Sequence, residues 1–356
     1  MSVFGRTRTV VGLDIGSSAV KAVELRPSGR TYRVVAFGSE PVPPDTIVDG
    51  AIIDGGAVAD VIRGLFESRH IKSREVAASL SGNAVIVKKI SLPVMSDAEL
   101  SESIYWEAEQ YIPFDIQDVN LDYQIVSPGS PGDSRGAMEV LLVAAKKEKI
   151  ADYTSVITQA GRVPVVVDVD AFAMQNAYEV NYELQPGRMI ALLNVGASAI
   201  NINIVNGDQS VFTRDISSAG GNAFTEAVQK ELNLPFESAE QAKKGQAVDG
   251  TTVEDVRLIL RAVAENVLLE VQKTLDFFKA TTGAERIDRV LLAGGASRVQ
   301  GFREMLAERV GAPVEPFDPF RKVQFESRKF GVDDVTDVAP TAVVAVGLAL
   351  RRAGDR

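Results

Sequence analysis

The chain has 356 residues, of which 46% are hydrophobic and 24% charged, and its net charge is −10 at pH 7. This balance predicts a globular protein large enough for two lobes, and it argues against a nucleic-acid binder, which needs surplus Lys and Arg to displace counterions. The lack of cysteine excludes disulfides, thiolate metal sites and cysteine nucleophiles, and the single histidine, His70, argues against multi-histidine metal sites and a Ser-His-Asp triad.

Neither end of the chain carries an obvious membrane signal. The N-terminus has Arg6 and Arg8 but no apolar core of signal-peptide length. No stretch approaches the ~18 uncharged apolar residues of a spanning helix. We therefore expect any membrane association to come through a partner or a surface patch.

The first 83 residues combine strands with one helix. Alternation of β-branched and polar residues predicts the strands, and an amphipathic stretch ending at an exposed His70 predicts the helix. The predicted strands are 8–15, 19–26, 31–39 and 75–80, and the predicted helix is 57–70.

Residues 84–162 have the pattern of a separate α+β module. Pro93 ends its first strand, and Pro113 ends a helix that carries Asp97 and Glu99 in its first turn. The predicted strands are 85–92, 119–126 and 137–146, the predicted helices are 97–112 and 147–160, and a Pro/Gly/Ser-rich loop covers 127–136. We expect this module to be inserted into the first lobe.

The rest of the chain alternates strands with helices, as α/β lobes do. The predicted strands are 163–169, 188–195, 199–206 and 209–216, with a further buried strand running into a glycine-rich turn at 290–297. The predicted helices are 170–180, 222–232, 236–244, 252–280, 299–310 and about 339–352, and the segment 312–337 is irregular.

A glycine-rich hairpin pattern occurs twice, about 180 residues apart. The copies are GLDIGSSAVKAVEL (12–25) and LLNVGASAININIV (192–205), each with an Asp or Asn two residues before the turn glycine. Glycine allows close backbone approach to an anion, and successive turn N–H groups form a concavity for phosphate oxygens. The repetition predicts two related half-domains that hold one polyphosphate between them.

Both hairpins and the segment VLLAGGAS (290–297) resemble, in order, phosphate loop 1, phosphate loop 2 and the adenosine loop of the actin–hexokinase–Hsp70 superfamily. The small-residue helices at 170–180 and 339–350 resemble its two interlobe connectors. The resemblance implies an α/β, two-lobed actin-like ATPase fold built on a duplicated ribonuclease H-like core.

The inserted module lies where the cell-division protein family FtsA carries an extra subdomain. Its segment IYWEAEQYIPFDIQDVNLDYQIV (104–126) resembles the signature of the PilM family of type IV pilus assembly, and the likeness extends to AVGLALRR (345–352). The implied domains are a first-lobe core at 1–83, the inserted subdomain at 84–162, a return and connector at 163–185, a second lobe at 186–337 and a closing helix at 338–356.

The resemblance assigns the first hairpin to phosphate and metal binding. Asp14 would order the water shell of Mg²⁺, an ion that suits one carboxylate plus phosphate oxygens. Gly16, Ser17 and Ser18 would donate to the β- and γ-phosphates of ATP. Lys21 would either reach the phosphates or remain an exposed strand lysine.

The second hairpin would close over the phosphates through Gly196, Ala197 and Ser198. Relatives often carry Asp where this chain has Asn194, so one charge near the metal and one water-orienting base are missing. Nucleotide binding can survive this change, because an amide oxygen still accepts hydrogen bonds. We therefore expect slow ATP hydrolysis at most, and leave enzymatic activity open.

Further residues match the nucleoside side of the site. The pair Gly220-Gly221 matches the diglycine before the second-lobe helix. Glu240 and Lys243, three residues apart on one helix face, would meet ribose and base or form a surface salt bridge. The adenine slot would be formed by Gly294, Gly295, Ala296 and Ser297.

Two aspartates lie at the start of the first connector, near the position of a water-positioning residue in relatives. Asp168 is the one weak candidate for a catalytic base. Asp170 is interpreted as a helix N-cap.

The PilM resemblance implies a cytoplasmic, ATP- and Mg²⁺-binding adaptor, peripheral to the inner membrane. Its partner would be the N-terminal cytoplasmic tail of PilN, with PilO reached through PilN and a link to the pilus motor ATPases. The tail would lie in a groove between the first lobe and the inserted module. The apolar anchors offered there would be Tyr105, Trp106, Tyr111, Ile112 and Phe114, unless Trp106 belongs to the core.

Two alternatives stay open at this point. One is an active ATPase or kinase of the same fold. The other is an FtsA-like filament, although residues 351–356 follow the connector directly and offer no amphipathic membrane anchor. Self-association is not excluded by the sequence.

Overall fold

A computed structural model of the chain describes residues 10–128, 137–217, 219–325 and 338–354. The chain divides into two compact units: Met1–Gly82 together with Val156–Arg356 form the first unit, and Asn83–Ser155 form the second unit. Most of the predicted loop 127–136 and the second half of the irregular segment 312–337 lie outside the described residues. Residues 156–162, expected in the inserted module, belong to the first unit.

Strands and helices follow the predicted order closely. The strands are β1 Val11–Ile15, β2 Ala19–Ser28, β3 Thr31–Pro41, β4 Ile47–Val48, β5 Ala51–Ile52, β6 Glu75–Leu80, β7 Val85–Pro93, β8 Val119–Ser127, β9 Ala137–Lys146, β10 Val163–Val169, β11 Met189–Val195, β12 Ile200–Asn206, β13 Gln209–Ile216, β14 Arg289–Ala293, β15 Val314–Pro316 and β16 Gln324–Phe325. The helices are α1 Gly55–Ser68, α2 Asp97–Glu109, α3 Lys147–Gln159, α4 Asp170–Asn181, α5 Gly221–Leu232, α6 Phe236–Lys243, α7 Val253–Thr282, α8 Phe302–Val310 and α9 Val343–Ala349. Among the described residues, no helix is long and apolar enough to cross a membrane.

The first unit contains two mixed sheets with the same central topology. One sheet has the order β10-β6-β1-β2-β3-β16 and the other β13-β12-β11-β14-β15. In each, a meander of three antiparallel strands is joined by a parallel strand that pairs with its first member, β6 with β1 and β14 with β11. The duplication seen in the hairpin sequences therefore extends to whole sheets.

Each sheet is covered by helices that bury their apolar faces. Against the second sheet pack α5, α7 and α8. They contribute the fully buried Phe224, Phe278 and Phe302 to one hydrophobic core. A second core joins α4 and α9 to both sheets and contains the buried side chains of Tyr178 and Phe317.

The two connector helices approach each other backbone to backbone. An added Cβ at Gly347 of α9 would overlap the carbonyl oxygen of Ala173 in α4, and one at Gly12 of β1 would overlap the carbonyl oxygen of Ala345 in α9. Only residues without a side chain fit such an approach. This crossing therefore fixes α4, α9 and β1 against one another.

The second unit is a three-stranded antiparallel sheet, in the order β7-β9-β8, packed against α2. Ser96 and Glu99 form a capping box at the start of α2, and Leu100, Ile104 and Ala108 bury its inner face. Capping satisfies the first N–H groups of the helix, so its start is well defined.

Three predicted helices differ from the structure by three residues or more at one end. The helix predicted at 97–112 ends at Glu109, because Tyr111 and Ile112 both donate their N–H to Ala108 in a final turn. The helix predicted from 299 begins at Phe302, because Gly301 has a φ of 79° that no helix interior permits. The predicted helix 339–352 is a 3₁₀ turn at Ala339–Thr341 followed by the shorter α9.

We expect Gly347→Ala to lower the free energy of unfolding by roughly 3 kcal/mol, because the methyl group has no room beside Ala173. Chemical unfolding followed by circular dichroism measures the change. Gly64→Ala is the matched control, since an added Cβ at Gly64 in α1 meets no atom within 4 Å. Equal effects of the two substitutions would contradict the close packing of the connectors.

Candidate functional site

The two glycine turns have the same backbone geometry and touch each other. The N–H of Gly16 donates to the oxygen of Ala19 at 3.1 Å, and the N–H of Gly196 donates to the oxygen of Ala199 at 2.9 Å. Across the two sheets, Ser17 Oγ donates to Ser198 Oγ at 2.9 Å. The structure thus brings the two predicted phosphate turns, which also include Ser18 and Ala197, to one location.

Lys21 lies beside Asp14 and is not an exposed strand lysine. The two residues are register partners in β1 and β2, and Lys21 Nζ is 2.9 Å from Asp14 Oδ2. Their side chains are 15% and 16% exposed. An ammonium group next to the carboxylate gives this turn both a cation for phosphate oxygens and an anion for a hydrated metal.

In the second hairpin, three hydrogen-bonded side chains, Asn194, Asn201 and Asp215, take the place of that ion pair and form a polar row. Asn194 Nδ2 donates to Asn201 Oδ1 at 2.9 Å, and Asn201 Nδ2 donates to Asp215 Oδ1 at 2.9 Å. The other oxygen of Asp215 accepts the N–H of Gly82 at 2.6 Å, which joins the end of β13 to the turn after β6. Burial raises the pKa of Asp215.

The diglycine Gly220-Gly221 allows the start of α5 to pack directly against the second turn. The N–H of Gly221 donates to Gly196 and that of Asn222 to Ala197, each at 2.8 Å. An added Cβ at Gly220 would lie 2.5 Å from the oxygen of Ala197, so any side chain there would displace the turn. The helix therefore takes the carbonyls of Gly196 and Ala197 as its acceptors, which fixes the start of α5 against the second turn.

Glu240 and Lys243 do form a salt bridge, but in a sheltered position. Lys243 Nζ is 2.5 Å from Glu240 Oε2, and the two side chains are 13% and 26% exposed, respectively. Thr225 Oγ1 donates to Glu240 Oε2 at 2.7 Å, which ties the pair to α5. Burial opposes ionisation of Glu240, yet Lys243 and Thr225 hold its pKa below the usual value, whereas burial lowers the pKa of Lys243.

The segment predicted as an adenine slot has the required open backbone. Gly294 has a φ of 91°, its N–H donates to Pro340 at 2.8 Å, and Ser297 Oγ donates to its carbonyl at 2.6 Å. An added Cβ at Gly295 meets no atom within 4 Å. Beside this turn, whose Ala296 is buried, lies a cavity of about 250 Å³. The cavity is lined by Leu292, Ser297, Arg298, Val299, Arg303, Glu304, Pro316 and Pro340.

The interpretation of Asp170 as a helix cap is wrong. The N-cap of α4 is Val169, and no side chain caps the helix. Asp170 instead accepts a hydrogen bond from Ser79 Oγ at 2.5 Å, because β6 and β10 are paired and bring the two residues together. Burial of its carboxyl group and the nearby charge of Asp14 raise the pKa of Asp170 to about 7.

Asp168, the weak catalytic candidate, lies next to a cation. Its Oδ2 is 3.4 Å from Arg351 Nε, and its Oδ1 accepts the N–H of Val169 at 2.7 Å. Its side chain is 6% exposed. These contacts suit a structural ion pair at the end of β10, whereas Asp170 has the pKa of a group that exchanges protons near neutrality.

The aromatic residues predicted as partner anchors differ in exposure. Trp106 and Tyr105 on α2 are 78% and 51% exposed, so Trp106 is not part of the core. Ile112 is buried, and Tyr111 and Phe114 lie half-buried under the amines of Lys88 and Lys146.

The residues present fit a nucleotide with a hydrated cation. Glycine turns lie on two sides, and open space lies at Gly295. Among the described residues, no group of three His, Cys, Asp or Glu side chains could hold a metal by itself. Mg²⁺ suits such a site, because it keeps several waters and relies on phosphate oxygens plus one or two carboxylates.

The duplicated sheets, the paired turns and the crossing connectors define an actin-like ATPase fold. A similar architecture occurs in the ethanolamine utilization protein EutJ from Carboxydothermus hydrogenoformans, with a TM-score of 0.57, 16% identity, and coverage of 96% of this chain and 89% of that one. The solved structure described as the PilM-PilN type IV pilus biogenesis complex matches with a TM-score of 0.86 and 30% identity over 97% of this chain and 98% of that one. The model of the type IV pilus assembly protein PilM family matches residues 12–353. The chain belongs to this family, which confirms the predicted resemblance and fold class.

We expect the stability of the ligand-free protein to fall as pH rises from about 4 to 7. Asp170 has a pKa of about 7 when folded and 3.8 as its reference value, so the folded chain retains a proton that the unfolded chain releases in this window. The effect is complete above pH 7 and amounts to at most about 4 kcal/mol. Asp170→Asn should flatten this decline, since its amide oxygen still accepts from Ser79.

Urea unfolding at several pH values between 5 and 8 measures the difference between wild type and Asp170→Asn. Asp60→Asn is the control, because the side chain of Asp60 is 72% exposed. The same pH slope in wild type and Asp170→Asn would show that Asp170 ionises normally.

Proposed function

We propose that the chain binds ATP with Mg²⁺ between its two glycine turns and acts as a nucleotide-binding adaptor in type IV pilus assembly. The hydrogen bond from Ser17 to Ser198 carries this proposal, because it brings turns from two separate sheets to one location. A polyphosphate that enters there receives N–H and hydroxyl donors from both sides. Its binding therefore depends on the relative position of the sheets.

Two charged groups of the first sheet, Lys21 and Asp14, suit the phosphates and their cation. Lys21 would donate to a phosphate oxygen, and Asp14 would accept hydrogen bonds from water bound to the metal. Mg²⁺ would supply neutralisation of the phosphate charge. Asp170 lies near enough to Asp14 for that charge to raise its pKa.

An active ATPase is the second candidate, and Asp170 is the observation that favours it. A carboxylate with a pKa of about 7 can accept a proton from water near neutrality. Against rapid hydrolysis, Asn194 supplies no charge at the second turn. Adaptor function with at most slow hydrolysis fits both residues.

We expect Asp14→Ala to weaken ATP binding in the presence of Mg²⁺ at least tenfold, because both the metal shell and the partner of Lys21 are lost. Gly196→Val should abolish binding, since an added Cβ lies 2.9 Å from the oxygen of Ala199. Isothermal titration with ATP measures both, and the melting temperature checks that each variant folds.

Asp60→Ala, at a carboxylate of α1 that is 72% exposed, should bind ATP as wild type does. Wild-type affinity in Asp14→Ala and Gly196→Val would remove the site from these turns. Phosphate release followed in the same samples, with and without partner, distinguishes the adaptor from the ATPase.

The partner proposed for this chain is the N-terminal cytoplasmic tail of PilN. A relative 30% identical was solved as a PilM-PilN complex. Through PilN we propose a peripheral position at the inner membrane, with PilO reached through PilN and the motor ATPases as further neighbours.

The outer face of α2 supports binding to such a tail. It carries Glu102, Tyr105, Trp106 and Glu109 at helical spacing, and all four are exposed. The whole helix holds five acidic residues and neither lysine nor arginine. Cytoplasmic segments that border a membrane are enriched in Lys and Arg, so charge and apolar surface are both complementary to a membrane-proximal tail.

We expect Trp106→Ala to weaken binding of a labelled PilN tail peptide by roughly tenfold, because an exposed tryptophan is the type of residue that dominates small interfaces. Fluorescence anisotropy measures the affinity. Trp106 is the single tryptophan of the chain, so a blue shift of wild-type emission reports contact at this face directly.

Phe277→Ala provides the comparison, since Phe277 is 50% exposed on α7 under the guanidinium of Arg214. It should leave peptide affinity unchanged. Peptide binding without a shift in Trp106 emission and without loss in Trp106→Ala would exclude the outer face of α2.

A further inference from the structure

The polar row in the second sheet has a fixed direction. Asn194, Asn201 and Asp215 are register partners on β11, β12 and β13, so their side chains share one face of the sheet. The two hydrogen bonds that join them are each 2.9 Å long. Asn201, at the centre, is 3% exposed.

Asp215 determines that direction because an ionised carboxylate only accepts hydrogen bonds, whereas an amide has one donating and one accepting end. Asn201 must therefore turn its NH₂ group toward Asp215 and its oxygen toward Asn194. Asn194 in turn donates a hydrogen bond from its NH₂ group to the oxygen of Asn201. The amide oxygen of Asn194 is the end left outside the row.

Asp215 is itself held in place by the turn after β6. Its second oxygen accepts the N–H of Gly82 at 2.6 Å. A backbone N–H can only donate, and Asn201 Nδ2 also donates to Asp215. Both hydrogen-bond partners of Asp215 are therefore donors. A carboxylate is the one side chain of this size that satisfies both.

The equivalent place in the first turn also presents oxygen. Asp14 precedes Gly16 as Asn194 precedes Gly196, 180 residues later, and each is the register partner of the residue it contacts, Lys21 or Asn201. Oxygen is the ligand and water acceptor that Mg²⁺ prefers. An NH₂ group at that position would face the cation with hydrogen atoms.

We propose that Asp215 is a positioning residue, which acts through Asn201 to make Asn194 present its amide oxygen to the hydrated cation of the bound nucleotide. Asp215 on β13 thereby compensates, through Asn201 on β12, for the carboxylate that the second turn lacks. This inference rests on the proposed nucleotide site, and it names a residue that the sequence patterns did not assign to that site.

Asp215→Asn gives a specific test because it should reverse the row. The N–H of Gly82 requires the oxygen of the new amide, which leaves the NH₂ end for Asn201. The amide oxygen of Asn201 then accepts from the NH₂ group of the new amide, and the NH₂ group of Asn201 donates to the oxygen of Asn194. The NH₂ group of Asn194 becomes the end left outside the row. The hydrogen bonds are conserved in number, so the fold is retained.

The measurement is ATP affinity in excess Mg²⁺ and in EDTA, for wild type and each variant. We expect Asp215→Asn to bind ATP in EDTA within about twofold of wild type but to lose roughly tenfold in Mg²⁺, the loss of about one charge-assisted hydrogen bond. Adding Asn194→Asp to the same variant should restore most of the Mg²⁺-dependent gain. A structural role would not produce this rescue.

Asp288→Asn is the matched control. Asp288 also accepts a backbone N–H, from Met189 at 2.9 Å, at the opposite end of β11. It should leave the Mg²⁺-dependent gain unchanged.

Equal losses in Mg²⁺ and EDTA, no loss at all, or no rescue by Asn194→Asp would each overturn the positioning role. Failure of the proposed nucleotide site has a separate signature: wild type would not bind ATP, or Asp14→Ala would bind it normally. The positioning role would then be overturned as well, since there would be no cation to approach.

Discussion

Backbone-to-backbone contact between α9, α4 and β1 is the constraint on which the site depends. Gly347 and Gly12 remove the side chains that would separate these elements. The consequences reach three parts of the site, because β1 carries Asp14, α4 begins with Asp170, and the segment before α9 supplies the carbonyl of Pro340 to the N–H of Gly294. Rigid support of this kind is what a site built from loops requires, since small displacements of its donors weaken every contact with the ligand.

The two turns share a backbone but differ in their electrostatics. In the first turn, Lys21 and Asp14 form an ion pair within the site. The second turn has neutral amides. The nearest carboxylate in its row, Asp215, lies two strands away and is fixed by the N–H of Gly82 in the turn after β6. A phosphate group bound between the turns would therefore meet a cation on one side and oriented dipoles on the other. Because the second turn has no charged group to orient water, this asymmetry would favour holding a nucleotide over rapid hydrolysis. Asp170, the group with a pKa near neutrality, is buried and bonded to Ser79.

The sequence predicted the features that depend on local pattern. The turns at Gly16 and Gly196, the diglycine before α5 and the small-residue connectors follow from neighbouring residues, and the structure brings the two turns together. Sequence patterns did not predict the contact between Ser79 and Asp170 or the contact between Gly82 and Asp215, because these residues are 91 and 133 positions apart in the chain. An aspartate before a helix has the same local pattern whether it caps the helix or accepts from a neighbouring strand. Only the pairing of β6 with β10 distinguishes the two.

Titration of the wild-type protein with ATP, ADP, AMP and adenosine, each with Mg²⁺, tests most directly whether the phosphates are held between the two turns. Donors from Ser17, Ser18 and Ser198 would contribute only when a polyphosphate is present. The account predicts that ATP and ADP bind at least a hundredfold more tightly than adenosine, equivalent to about 3 kcal/mol. Adenosine bound as tightly as ATP, or no binding of ATP, would contradict it.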